Sequence, residues 1–272
     1  MLSINQIYCG DNLSLIKQLD DNCIDLSIQS PPYSKIRDYN GYSFDFENLA
    51  KELYRVTKPG GICVWVVNDQ YENGGRNLDS FKQAIYFKEE CGFLVNDVMI
   101  YQKSGMRYPN PKRYHQVYEF MHILSKGVPK TVNRIKDRKN KYAGQKIARR
   151  NSCRQIDGSL TENSAFRLDK ERKIEEFGIR YNIWEYAVGK GNCTRDEIAY
   201  KHPAIYPEKL AADHIISWSN EGDLILDIFS GSGTTCKMAK ILNRNFLGFD
   251  CSKEYCEIAN ERLNNVANES NL

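Results

Sequence analysis

The chain has 272 residues, 41% hydrophobic and 11% aromatic, with a formal net charge of +3. This length suits one large α/β domain or a catalytic domain with an insert, and the apolar content excludes a disordered chain. No run of about 18 apolar residues occurs, so no membrane partner is expected. The first residues lack the pattern of a secretory signal. We therefore expect a cytoplasmic protein.

Nine cysteines are scattered along the chain, without a Cys-x-x-Cys pair and without flanking histidines. An odd number with irregular spacing argues against a disulfide framework and against a zinc site. We expect reduced thiols that pack as small residues, and no metal cofactor.

Positive charge is concentrated in residues 127–180, which hold fifteen Lys or Arg against seven Asp or Glu. The remainder of the chain is net negative. Within Lys130–Arg154, ten residues are basic and one is acidic. A local excess of this size on an otherwise acidic protein favours a polyanionic partner.

Before this basic segment, predicted strands and helices alternate. The predicted strands are Ile4–Cys9, Ile24–Gln29, Ile62–Val67, Val95–Tyr101 and Val117–Ser125, and the helices are Asn12–Leu19, Phe44–Thr57 and Asp79–Cys91. The run Lys58-Pro59-Gly60-Gly61 is expected to end the helix before the next strand begins.

Residues 127–180 show weak periodicity, which predicts an insert. Alternation then resumes with strand Leu224–Phe229, helix Thr234–Leu242, strand Asn245–Asp250 and helix Ser252–Asn264. Strands that alternate with helices predict a doubly wound, mostly parallel α/β sheet.

A proline motif, Ser30-Pro31-Pro32-Tyr33, directly follows the second predicted strand. Each proline lacks an N–H and fixes its own φ, so the loop presents carbonyl oxygens in a set direction. A hydroxyl precedes them and an aromatic ring follows. These groups suit a planar amine, with acceptors for its hydrogens and a ring for stacking. The alternative is an ordinary rigid turn.

A glycine motif, Asp227-Ile228-Phe229-Ser230-Gly231-Ser232-Gly233-Thr234, joins a predicted strand to a helix, and the next strand ends in Asp250. A carboxylate there can accept both hydroxyl hydrogens of a ribose. A dinucleotide fingerprint needs glycine where this chain has Cys236. Three interpretations stay open: a structural turn, a dinucleotide site, and an S-adenosylmethionine site in which Asp227 orients the loop or meets the amino-acid part.

Together, the two motifs resemble the S-adenosylmethionine-dependent DNA amino-methyltransferases, and their order resembles the circularly permuted β group. The resemblance implies a seven-stranded, Rossmann-like methyltransferase sheet. It assigns residues 1–126 and 181–272 to the catalytic domain and residues 127–180 to a target-recognition insert. S-adenosylmethionine is the implied cofactor and S-adenosylhomocysteine the product.

Further stretches carry the same resemblance. Tyr8-Cys9-Gly10-Asp11 is similar to a strand end whose acid meets adenine, and the segment from His202 to Leu210 is similar to the one lining the methionine end. The implied cofactor-binding residues are Asp11, His202, Pro207, Asp227, Phe229, Gly231, Ser232, Gly233, Thr234 and Asp250.

The implied catalytic residues are Ser30, Pro31, Pro32, Tyr33 and Asp69. The Ser30 hydroxyl and the Pro31 carbonyl would accept the amine hydrogens, and Tyr33 would stack on a base flipped out of the duplex. Asp69 would accept a hydrogen bond from Ser30 and help to remove the proton. Its alternative is a surface acid in a turn.

Relatives that methylate cytosine N4 usually begin the proline motif with Ser, whereas those that methylate adenine N6 usually begin it with Asp. Ser30 therefore favours cytosine, with adenine as the alternative. A non-catalytic DNA-binding module with the same fold, and a nucleotide-dependent oxidoreductase, are the rivals from other classes.

For the insert we expect phosphate contacts and base readout, with Lys139, Arg149, Arg150 and Arg154 as candidate DNA-binding residues. The implied partner is double-stranded DNA, and the implied location is the cytoplasm of a bacterial-type cell, in association with the nucleoid. A restriction-modification system, with a cognate restriction endonuclease, is the implied context. The protein is expected to be a monomer or a homodimer.

Overall fold

A computed structural model describes residues 2–32, 45–105, 112–145, 152–162 and 173–269. The strands are β1 (Gln6–Cys9), β2 (Ile24–Gln29), β3 (Thr57–Val67), β4 (Tyr71–Glu72), β5 (Gly75–Arg76), β6 (Leu94–Ser104), β7 (Tyr118–Ser125), β8 (Lys136–Lys139), β9 (Ser152–Arg154), β10 (Leu160–Glu162), β11 (Phe177–Ile179), β12 (Ile183–Ala187), β13 (Leu224–Asp227) and β14 (Asn245–Asp250). The helices are α1 (Asn12–Ile16), α2 (Phe46–Val56), α3 (Asp79–Glu89), α4 (Glu208–Trp218), α5 (Thr234–Ile241) and α6 (Lys253–Glu269), with a 3₁₀ helix at Glu197–Lys201. Within these ranges, no helix has the length and apolarity needed to cross a membrane.

One sheet of eight strands, in the order β1-β14-β13-β2-β3-β7-β6-β12, organises the larger part of the chain. Neighbouring strands are parallel except where β7 pairs with β3 and β6. One apolar cluster packs α1, α2 and α3 on one face, and a second packs α4, α5 and α6 on the other. The predicted doubly wound, mostly parallel fold is confirmed.

The sheet has eight strands instead of the predicted seven because β12 adds an edge strand beside β6. Along β12, Trp184 and Tyr186 are buried between exposed neighbours, which is the alternation of a half-buried strand. No strand was predicted here from the sequence, so its period of two was missed.

Helix α2 ends at Val56, so the predicted end of the helix before residues 58–61 is confirmed. The predicted start of the next strand at Ile62 is wrong, because β3 begins at Thr57 and runs through these residues. Ile24 pairs with Thr57 and Leu26 with Ile62, with a register shift between them. Four residues of β3 therefore lie opposite one residue of β2, and the three extra residues are accommodated as an irregularity within the strand, where Gly60 supplies a φ of +82°.

The chain divides into two compact units, residues 1–133 with 182–272, and residues 134–181. The predicted insert was residues 127–180, and its role in target recognition stays a prediction. Within the second unit, β8 pairs with β11 and β9 with β10, both antiparallel. In the first unit, β13 and β14 lie between β1 and β2 in the sheet. Whether this order arose by circular permutation also stays a prediction.

Candidate active site

Four neighbouring parallel strands, β1, β14, β13 and β2, end at the same edge of the sheet and open into a cavity of about 430 Å³. In doubly wound folds this edge is where ligands bind. The lining residues are Asn12, Ser30, Pro31, Pro32, His202, Ala204, Ile205, Tyr206, Ile228, Phe229, Ser230, Gly231, Ser232, Thr234, Asp250, Cys251, Ser252 and Tyr255. The proline motif and the glycine motif therefore share one cavity.

The glycine loop, residues 228–233, needs its two glycines for different reasons. Gly231 has φ +49°, and a Cβ there would lie 2.9 Å from Nε2 of His202. Gly233 has φ +76°, and a Cβ there would lie 2.7 Å from the Cβ of Ala259 in α6. Gly231 thus lets the wall formed by His202 approach the loop, whereas Gly233, which does not line the cavity, lets the loop pack on α6.

Asp250 lines the cavity and also fixes the glycine loop. Its Oδ2 accepts a hydrogen bond from the Gly231 N–H at 2.8 Å, and its Oδ1 accepts one from the Ser252 N–H at 2.9 Å. Burial raises the pKa of Asp250, and the two backbone donors oppose that rise. Each carboxylate oxygen keeps a lone pair, so a ligand's paired hydroxyls could donate to both.

Asp227 lies beneath the loop and does not line the cavity. Its Oδ1 accepts a hydrogen bond from the Phe229 N–H at 3.0 Å, and Tyr206, which also bonds Thr235, donates to its Oδ2 at 3.5 Å. Burial raises the pKa of Asp227 to about 7. Of the two predicted roles, this geometry matches orientation of the loop and does not match direct contact with a ligand in the cavity.

Gln29, the last residue of β2, connects the two motifs and was missed by the sequence interpretation. Its fully buried amide donates to the Leu226 carbonyl at 3.5 Å and accepts from the Ile228 N–H at 2.9 Å. It therefore ties the strand before the proline motif to both sides of Asp227. The available signal was a polar residue at the end of a strand that is otherwise buried on both faces.

Among the predicted catalytic residues, Ser30, Pro31 and Pro32 line the cavity, and Tyr33 lies outside the described residues. Asp69 lies elsewhere. It is 7% exposed, and its Oδ1 accepts a hydrogen bond from the Ser80 N–H at the start of α3 at 2.8 Å. It makes no hydrogen bond with Ser30. The predicted contact is wrong, and so is the alternative of a surface acid, because the carboxylate is used to cap a helix.

Of three other predicted cofactor residues, one lines the cavity and two do not. His202 lines the cavity, accepts from the Ala204 N–H at 3.1 Å and contacts the Tyr255 ring edge-to-face. Pro207 is the buried N-cap residue of α4 and does not reach the cavity. Asp11 is an exposed N-cap that accepts from Ser14 at 2.8 Å, whereas its neighbour Asn12 lines the cavity.

Ser230 also lines the cavity and was missed, although it stands inside the glycine motif. It is 5% exposed, and its Oγ has no hydrogen-bond partner within the described part of the chain. A buried hydroxyl without a partner is costly unless a ligand or water satisfies it. In the same described ranges, no cluster of His, Cys, Asp and Glu is arranged to hold a metal ion. The eight cysteines with described side chains are free thiols.

Two of the four predicted DNA-binding residues lie among the described residues of the second unit. Lys139 ends β8 and Arg154 ends β9, and both are exposed, whereas Arg149 and Arg150 lie outside the described residues. Some other basic side chains of this unit are paired within it: Arg180 with Asp137, and Lys136 with Glu175.

Comparisons with known proteins agree with this architecture. A family model described as DNA methylase, N6_N4_Mtase, matches residues 24–261. The orphan methyltransferase M.BamHII of Bacillus amyloliquefaciens is 52% identical over 249 residues, covering 92% of each chain.

Two solved structures share the fold. The PvuII DNA methyltransferase (cytosine-N4-specific) superimposes with a TM-score of 0.68 at 21% identity, covering 96% of this chain and 87% of that one. The M1.HpyAVI–SAM complex gives a TM-score of 0.59 at 25% identity, covering 95% and 98%. The family model and the relative from Bacillus together establish that the chain belongs to the N6/N4 DNA methylase family and is a DNA methyltransferase.

Proposed function

We propose that this protein transfers the methyl group of S-adenosylmethionine to the exocyclic N4 amine of a flipped-out cytosine at a specific DNA site. The observation that carries the proposal is that Ser30, Pro31 and Pro32 line the same cavity as the glycine loop. An amine held by the proline motif would lie beside a ligand held by the loop, as a direct transfer requires.

The residues of the cavity fit this cofactor. Gly231 provides a surface without a Cβ, and Asp250 has lone pairs for the two ribose hydroxyls. The buried Ser230 hydroxyl, which has no hydrogen-bond partner among the described residues, could bond to the cofactor. The M1.HpyAVI neighbour was solved with SAM bound. S-adenosylmethionine supplies an electrophilic methyl group on a sulfonium. Beneath the cavity, Asp227 orients the loop.

The protein's own contribution to the reaction is positioning and electrostatics. The lone pair of an exocyclic amine is delocalised into the base, so the amine is a poor nucleophile. Hydrogen bonds from its two hydrogens to Ser30 Oγ and the Pro31 carbonyl would favour a tetrahedral nitrogen and release that lone pair. Cytosine is favoured over adenine because the motif begins with Ser30; the neighbour named cytosine-N4-specific shares the fold.

The second unit, residues 134–181, is proposed to recognise the DNA target in the bacterial cytoplasm. Its exposed Lys139 and Arg154 would contact phosphates, so DNA affinity should fall steeply between about 50 and 200 mM salt. A double K139A/R154A variant should bind DNA more weakly and with a smaller salt slope, measured by fluorescence anisotropy. An unchanged slope would remove both residues from the interface. A cognate endonuclease stays a prediction. The relative M.BamHII is described as an orphan methyltransferase.

Nucleoside mass spectrometry tests the reaction and the base together. Unmethylated DNA is incubated with the protein and S-adenosylmethionine carrying a deuterated methyl group, and is then digested to nucleosides. We expect labelled N4-methyldeoxycytidine from the wild type and a large loss with Ser30→Ala. Labelled N6-methyldeoxyadenosine alone would identify the adenine alternative. Absence of any labelled nucleoside from DNA of varied sequence, with intact DNA binding, would favour the non-catalytic module.

A further inference from the structure

An ionic cluster of two buried cations and two partly buried carboxylates lies behind the glycine loop, outside the cavity. It consists of Arg262 of α6, Lys237 of α5, Asp196 and Glu208. The Arg262 side chain is 0% exposed and that of Lys237 is 8% exposed. Arg262 Nε donates to Asp196 at 2.8 Å and its Nη2 donates to Glu208 at 2.6 Å. Lys237 Nζ donates to the same two carboxylates at 2.7 and 2.9 Å.

The third nitrogen of this guanidinium reaches the glycine loop. Arg262 Nη1 donates to the Ser232 carbonyl at 2.6 Å and lies 3.2 Å from the hydroxyls of Ser232 and Thr234. Ser232 and Thr234 both line the cavity, whereas Arg262 does not. The planar fork of arginine suits this arrangement, because its donors point in three fixed directions that a lysine ammonium cannot serve together.

The same guanidinium also fixes the opposite wall. Asp196 and Glu208 flank the segment that carries His202, Ile205 and Tyr206, all of which line the cavity. Burial opposes ionisation of Asp196, yet the hydrogen bonds from Lys237 and Arg262 keep its pKa below the ordinary value. The Asp196 carboxylate therefore stays charged. Through its bonds to Asp196, Glu208 and Ser232, one arginine joins the two sides of the cavity.

We propose that Arg262 is a positioning residue for the cofactor: it sets the separation between the glycine loop and the segment carrying His202, without touching the ligand. This inference rests on the proposed cofactor site and names a determinant of affinity in it. Loss of the fork should widen or loosen the cavity, so cofactor affinity should fall while chemistry in the filled complex changes little.

The test compares Arg262→Lys with Arg244→Lys. Arg244 is a matched control, because its guanidinium likewise bonds main-chain carbonyls, those of Leu242 and Ser219, but does not contact the glycine loop. Calorimetry with S-adenosylmethionine and with S-adenosylhomocysteine gives Kd, and single-turnover methylation at saturating cofactor gives the rate. We expect R262K to raise both Kd values at least tenfold while the saturated rate and the DNA affinity stay near wild type. R244K should leave all of these unchanged.

Hydrogen exchange of the ligand-free proteins supplies a readout that does not depend on the cofactor. Peptides covering residues 228–236 should lose protection in R262K and keep it in R244K. If R262K fails to fold, Asp196→Asn, which removes one carboxylate charge at constant shape, takes its place with the same expectations. Unchanged Kd and unchanged exchange in a folded variant would overturn the proposal. Altered exchange in a protein whose wild type binds neither ligand would retain the positioning role and refute the proposed function.

Discussion

Two walls of the cavity, one formed by the glycine loop and one by the proline motif, are held in place by different means. The glycine-loop wall is held by hydrogen bonds between its backbone and three side chains: that of Asp227, directly before the loop, and those of Asp250 and Arg262, which are distant in sequence. The proline wall owes its shape to the fixed φ of Pro31 and Pro32 and to Gln29 before them. Defects in the first wall should therefore appear in cofactor binding, and defects in the second in turnover.

The largest effect is expected for Ser30→Ala. Removal of one acceptor from the reacting amine should lower the single-turnover rate by about 100-fold, as for other donors and acceptors aimed at a reacting group. The Kd for S-adenosylmethionine should stay near wild type, because Ser30 belongs to the proline wall. A parallel loss of rate and cofactor affinity would show that the two walls are not independent. Tyr33→Ala should also lower turnover far more than cofactor affinity.

Gln29→Leu should disturb the glycine-loop wall and the proline wall together, since Gln29 contacts both. It leaves the Ile228 N–H and the Leu226 carbonyl without this side-chain partner, which should cost about 1–3 kcal/mol in unfolding free energy by urea titration. Turnover and cofactor affinity should both fall. Gln18→Leu, which removes an exposed amide that donates to the Ser14 carbonyl at 3.2 Å, is the matched control and should lose less. A Gln29→Leu protein altered in turnover alone would assign Gln29 to the proline wall.

Gly231→Ala should raise the Kd for S-adenosylmethionine about tenfold, a change of ~1.4 kcal/mol. The added methyl would meet His202, and the backbone has a positive φ that alanine disfavours. Gly74→Ala is the matched control: its φ is +86°, and no atom lies within 4 Å of the added Cβ. If both variants bind the cofactor equally well, close approach at Gly231 is not needed.

The smallest effect concerns pH. Burial raises the pKa of Asp227 to about 7 in the folded protein from 3.8, so the folded state keeps a proton that the unfolded chain releases. Stability from this proton is complete below the unfolded pKa and is lost as pH rises toward 7. Relative to Asp227→Asn, the wild type should lose about 1 kcal/mol of unfolding free energy between about pH 6 and pH 8. His122, whose pKa burial lowers to about 4, changes stability in the opposite direction but equally in both proteins. Parallel pH profiles would contradict a protonated Asp227.

Sequence patterns predicted much of the sheet, because its central strands are buried on both faces and its helices alternate with them. The predicted strand Ile24–Gln29 is β2, and Asn245–Asp250 is β14. Sequence patterns failed where pairing with a neighbouring strand decides whether a segment is a strand. Gly60 and its neighbours lie within β3 because β2 pairs across them, and β12 exists because β6 offers an edge.

In the candidate site, too, local motifs were predictive and contacts between distant segments were not. Motifs identified the residues that line the cavity through the main chain or short side chains, such as Ser30, Gly231 and Asp250. Spacing could not reveal which way a carboxylate points. The predicted contact of Asp69 with Ser30 is wrong, and of the two roles left open for Asp227 its hydrogen bonds match only orientation of the loop. The contacts of Arg262 could not be predicted from the sequence, because its partners lie in three separate segments of the chain.

The order of strands in the sheet has a consequence for biosynthesis. Gln29 and Ile228, joined by a side-chain hydrogen bond, are 199 positions apart in sequence. While the chain emerges from the ribosome, β1 and β2 have unpaired edges until β13 and β14 insert between them, and such edges invite aggregation. Contacts over this separation slow folding. A nascent chain that has not yet added β13 and β14 has no closed cavity, so methyl transfer begins only after the late strands have been made.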